Sequence, residues 1–81
     1  MKKKLTCTLK LNALERRIVF PKLQSYCKEN KIAVVITGID SSTYVMEGTA
    51  GASTIDECAK EMVRMEKLFP DRVTNLKVVI A

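Results

Sequence analysis

The chain has no histidine, no C-x-x-C pair and no cluster of carboxylates. Without imidazoles or paired thiolates the ligand sets of structural zinc cannot be assembled, and a transition-metal site has little support. No metal or cofactor is expected. No apolar run approaches the ~20 residues needed to span a bilayer, so no membrane contact is expected either. The amino terminus reads Lys2, Lys3, Lys4 and then alternating Thr and Leu, in place of the apolar core of a secretory leader. The expected location is the cytoplasm. Linkers, low-complexity segments and fixed-period repeats are also missing. With apolar material for one core, residues 1–81 are read as a single domain.

What is present is unevenly distributed. Residues 1–37 carry nine Lys or Arg against Glu15 and Glu29, a balance of +7, whereas residues 38–81 carry five against seven acids, a balance of −2. A basic half bears on attraction to polyanions and acidic partners, not on fold. The three cysteines, Cys7, Cys27 and Cys58, are odd in number and sit within apolar periodic segments. They are read as reduced, buried thiols that form no disulfide.

Tyr44 to Pro70 is the most legible stretch. Thr43 to Thr49 alternates, with Tyr44, Met46 and Gly48 on one face and Val45 and Glu47 on the other, which predicts a strand. Gly48-Thr49-Ala50-Gly51 is expected to break it, two glycines permitting positive φ in a sharp turn. A helix is expected to follow at once, capped by Thr54 with Glu57 or by Ser53 with Asp56. Ile55, Cys58, Ala59, Met62, Met65 and Phe69 recur at helical spacing as its core face, and Pro70 ends it.

The first segment, Leu5, Cys7, Leu9 and Leu11 between Thr6, Thr8 and Lys10, has the period of two of a strand. Asn12 with Glu15 three residues on is a capping pattern, so a helix should open at Ala13. Pro21 allows two readings: a helix from about Ala13 to Glu29 kinked at the proline, which is favoured, or a helix that starts at Pro21. Ile32 to Thr37 is a nearly continuous apolar run of the kind found in well-covered strands. Gly38 to Ser42 has turn chemistry for a hairpin. Val73 to Ala81 reads as a last strand with Thr74, Leu76, Val78 and Ile80 opposite Asn75, Lys77 and Val79. Strand, helix, strand, strand, helix, strand is the order of the ferredoxin-like α+β plait, a four-stranded antiparallel sheet with both helices on one face.

In that order of elements the chain resembles the RNA-recognition motif, which stacks bases on aromatics of its first and third strands. Here LTCTLKL has no aromatic and TYVMEGT has only Tyr44, which is read as a core or sheet-edge residue, so base-specific binding is not expected. The plait is also shared with acylphosphatase-like hydrolases, and that resemblance would place Arg16 or Arg17 on a substrate phosphate after the first strand. The corresponding segment NALERRIVF lacks the loop glycine and TGIDSSTY lacks the asparagine, so no enzyme is assigned.

Two candidate sites remain. Gly48, Gly51, Ser53 and Thr54 could form an anion site at a helix N-terminus, where free N–H groups and the macrodipole attract negative charge, although turn and cap chemistry accounts for the same residues. Lys10, Arg16, Arg17, Lys22 and Lys28 are the candidate binding cations. With Val35, Val45 and Val79 expected on the sheet face away from the helices, the reading is a non-enzymatic binding module. It would work through the open sheet face or the basic first helix, on another protein or a second copy; the alternatives are a nucleic-acid backbone and, after it, a phosphate-handling acylphosphatase-like activity.

Overall fold

The computed structural model describes residues 1–81 and has six elements: β1 (Lys2–Lys10), α1 (Ala13–Glu29), β2 (Ala33–Gly38), β3 (Thr43–Gly51), α2 (Ala52–Leu68) and β4 (Val73–Ile80). The strands form one antiparallel sheet in the order β2-β3-β1-β4, which is the ferredoxin-like plait. Thirteen buried apolar residues form one cluster between sheet and helices, with Leu5, Cys7 and Leu9 of β1 and Tyr44, Met46 and Ala50 of β3 at its centre. The alternation in these two strands therefore selects the buried face as expected.

α1 opens at the expected cap. Asn12 Oδ1 accepts from Glu15 N at 2.8 Å while Glu15 Oε1 accepts from Asn12 N at 3.0 Å, so two end donors are paired reciprocally. The helix runs through Pro21 to Glu29. Pro21 leaves the Arg17 carbonyl without its usual partner, a loss that water can make good because both residues are exposed. The far end closes with Lys31 at φ 56°, where Lys31 N bonds the Lys28 carbonyl and Ile32 N the Cys27 carbonyl. This is the Schellman pattern, and its apolar pair, Cys27 and Ile32, lies in the core.

Five expectations are corrected. β3 does not break at Gly48 but pairs with β1 as far as Gly51↔Lys2, and no glycine has positive φ. Gly48 is small because of its neighbour: a Cβ there would lie 3.1 Å from Ile32 Cγ2. The chain then passes from strand into helix with Gly51 as N-cap and no side-chain cap bond, so neither Thr54 with Glu57 nor Ser53 with Asp56 forms a capping box. By Thr54 the backbone is already helical, and a capping residue must not be.

β2 is an edge strand, half-covered, in contrast to the well-covered strand its apolar run suggests. In β4 the register shifts between Thr6 and Thr8 of β1, where Asn75 takes φ 54°. That extra residue reverses the alternation, so Val73, paired with Leu9, and Val78, paired with Leu5, face the helices, while Thr74, paired with Thr8, faces away. Finally, Phe69 is 52% and Met65 37% exposed, although Ile55, Cys58 and Met62 of the same helix face are buried. The helices meet at the end where Cys27 and Cys58 join the core and separate at the other. There an apolar groove of about 380 Å³ opens between Ile18, Leu23, Met62, Met65 and Phe69.

Candidate functional site

The cations of α1 are not gathered into one patch. Arg16 is half-buried: its Nη1 donates to Tyr44 Oη at 2.6 Å, and its guanidinium carbon lies 6.0 Å from the centroid of that ring. Tyr44 is itself core, packed edge-on against Phe20 at 5.0 Å, so Arg16 serves the α1–β3 packing. Arg17, Lys22 and Lys28 are exposed, but at 3.6 residues per turn Lys22 points about 140° away from Arg17. Lys10 lies on the opposite side of the sheet from the helix.

The anion loop also fails to assemble. Gly48 is in the sheet between Leu5 and Val34, and Gly51 closes the strand. The first N–H of α2, on Ala52, donates to the Met1 carbonyl at 3.0 Å. Ser53 is exposed and Thr54 half-buried, and neither makes a cap bond.

The sheet gathers a different set. Residues directly opposite across antiparallel strands share a face, so the open side can be read as rows. One runs Ala33, Thr49, Lys4, Val79; the next Val35, Glu47, Thr6, Lys77; the third Thr37, Val45, Thr8, Thr74; the last holds Thr43 and Lys10. Lys2 extends the set beside Gly51. Val35, Val45 and Val79 thus lie on the open face, where the alternation puts them. Lys2, Lys4, Lys10 and Lys77 share that face with one acid, Glu47, and none of these five enters an ion pair. Away from that face four cations are paired, Lys3 with Asp56 at 3.0 Å, Lys60 with Glu57 at 3.4 Å, Arg64 with Glu61, and Arg72 with Glu15 at 3.0 Å, while Arg17, Lys22, Lys28, Lys31 and Lys67 enter no ion pair. What sets the open face apart is that all four of its lysines are unpaired and lie on β1 and β4 with a single acid among them.

Lys4 and Lys10 are visible in the period-two pattern of the first strand, but only Lys10 stands among the sequence candidates. Lys77 could not be paired with them from sequence, because its place beside Thr6 depends on the sheet order and the shift at Asn75. No aromatic side chain lies on this face: Tyr44 points into the core.

The thiols are chemically quiet. Burial, then the nearby Cys58 thiol and Glu66, push Cys7 up to about 11, and burial is also the main cause that raises Cys27 and Cys58. A thiol so raised supplies little nucleophilic thiolate near neutral pH. All three are free. No group of His, Cys, Asp and Glu is clustered to hold a metal ion, and no helix is long and apolar enough to cross a membrane. Comparison with family models, curated proteins and solved structures finds no match to this chain.

Proposed function

We propose that this protein is a non-enzymatic binding module whose open sheet face takes the phosphate backbone of a nucleic acid without reading its bases. The observation that carries the reading is the set Lys2, Lys4, Lys10 and Lys77 on one face, free of ion pairs and opposed only by Glu47. Lysine ammoniums and threonine hydroxyls are the groups that contact phosphate oxygens. Between Lys4 and Lys10 lie Thr6 and Thr8, and six residues of strand extend about 20 Å, room for several phosphates. Protein interfaces, by contrast, draw on aromatics and arginine and are poor in lysine, and this face has neither aromatic nor arginine. The missing aromatics also remove base stacking, so affinity should follow charge and not sequence.

The test is fluorescence anisotropy with a labelled mixed-sequence oligonucleotide across a salt series. Affinity should fall steeply with salt, and Lys4→Gln/Lys10→Gln/Lys77→Gln should flatten the log–log slope by about 2 to 3 while leaving the circular dichroism unchanged. Unchanged affinity and slope in the triple variant would overturn the proposal. So would equal binding of polyglutamate, which would assign the face to acidic proteins, or loss of binding only on neutralising Arg17, Lys22 and Lys28.

A further inference from the structure

The sheet has two free edges, and they differ in protection. Edge strands are commonly guarded by charges, prolines or bulges that prevent pairing with another chain. β4 has both Lys77 and the irregularity at Asn75. β2, AVVITG, has no charge and no proline, and its register with β3 is unbroken. Its inner side chains, Val34 and Ile36, pack on the core, while Val35 is 61% exposed on the open face.

The hydrogen-bond pattern shows what β2 presents outward. Ile39 N donates to the Thr43 carbonyl at 2.8 Å, and bonded pairs alternate along an antiparallel ladder. Ala33, Val35 and Thr37 therefore turn their main-chain groups toward β3. Val34 and Ile36 turn theirs to the free edge.

We propose that two copies of the chain pair antiparallel through their β2 edges, about a two-fold axis at Val35, to make one continuous eight-stranded sheet. Charge argues for a second copy at this edge. In the order β2-β3-β1-β4 every open-face lysine lies on β1 or β4. Joining at β2 keeps the two β1 strands about 24 Å apart, well beyond the ~8 Å screening length at physiological salt. Joining at β4 would set Lys77 of one copy beside the same strand of the other. At the ends of β2 the charges are opposite, Lys31 before it and Asp40 after it, and antiparallel pairing brings each Lys31 to the other copy's Asp40. The Asp40 carboxyl is held below its usual range, chiefly by accepting from Ser42 N at 2.9 Å, so it stays ionised at neutral pH.

Packing selects the register. Centred on Val35, Val34 and Ile36 exchange main-chain hydrogen bonds with Ile36 and Val34 of the second copy. The two Val35 side chains then meet at a non-bonded position, where Cα atoms approach to about 4.5 Å, and cover each other. An axis perpendicular to the sheet leaves both open faces on one side. The inference stands on the edge alone and does not depend on what the open face binds.

Cysteine crosslinking and sizing test it. Val35→Cys should form an intermolecular disulfide on mild oxidation, since ~4.5 Å lies within disulfide range, giving a species of twice 9.1 kDa. The native thiols are buried and should give no crosslink. Thr37→Cys should stay monomeric on non-reducing gels, because in this register the two Thr37 positions are four residues, about 13 Å, apart along the strands. The unmodified chain should show concentration-dependent dimers, and Val35→Lys should shift them to monomer with unchanged circular dichroism. A monomer at all concentrations, equal crosslinking at positions 35 and 37, faster crosslinking of Val79→Cys, or a persistent Val35→Lys dimer would each overturn the proposal.

Discussion

Replacing Arg16 with Met keeps most of the side-chain stem and removes the guanidinium. The structure gives that group two roles, a 2.6 Å hydrogen bond to the Tyr44 hydroxyl and a position 6.0 Å from the ring centroid. A hydrogen bond involving a charged group contributes ~1.5–3 kcal/mol when well buried, and a cation over an aromatic ring ~0.5–1 kcal/mol at an exposed site. Arg16 is only half-buried and the ring distance is at the limit of that interaction, so the low end applies, a loss of about 1 to 2 kcal/mol. In a domain of this size each kcal/mol lowers the melting temperature by ~4–8 °C. Arg17→Met, one residue along and exposed, should stay within ~0.5 kcal/mol. Urea denaturation of both variants, with Tyr44→Phe and the Arg16→Met/Tyr44→Phe double variant, separates the terms. The cycle should return a coupling of about 1 kcal/mol. Coincident midpoints for the two arginine variants, or zero coupling to Tyr44, would refute the reasoning and return Arg16 to the set of surface cations. The same contact means that charge reversal at Arg16 would damage packing, so of the two arginines only Arg17 tests the surface of α1 without disturbing the fold.

Two further outcomes follow from the core. Met62 is buried, so Met62→Ala should cost ~2–5 kcal/mol by denaturation, whereas Phe69→Ala should cost clearly less because Phe69 is half-exposed, and Lys60→Ala should change stability by no more than ~0.5 kcal/mol. Similar losses at 62 and 69 would show that the groove is closed in solution. For the thiols, Cys7 is raised from 9.0 to about 11, so the folded state favours the protonated form. That contribution is fully present below pH 9 and is lost as pH rises toward about 11, so stability should be level near neutrality and fall through this window. A chemical-denaturation series from pH 7 to 11 measures it, and a Cys7→Ala variant with the same alkaline slope would count against Cys7 as the cause.

Only part of the candidate site was legible before the fold: the facing of β1 was, but of the site's four lysines only Lys10 stood among the sequence candidates. Lys4, Thr6, Thr8 and Lys10 share a face because strand geometry alternates side chains, a local rule. Nothing local tells whether Arg16, next to the equally charged Arg17, will find Tyr44 twenty-eight positions away. The glycines at 48 and 51 suggest a turn because glycine permits one, yet Gly48 stays in the strand, where a Cβ would crowd Ile32 Cγ2 at 3.1 Å.

Local pattern was enough to specify the six elements and their order, the cap at Asn12 with Glu15, the buried faces of β1 and β3, and the core positions Ile55, Cys58 and Met62 of α2. All of these rest on interactions spanning a few residues or on the periodicity of one element. It took the assembled fold to show that β2 is an edge, that the shift at Asn75 reverses the facing of β4, that Met65 and Phe69 border a groove, and which lysines lack partners. Each of those depends on what lies across the sheet or across the helix pair. An apolar run reads the same in a central strand and at an edge, and a lysine reads the same whether a carboxylate arrives beside it or not.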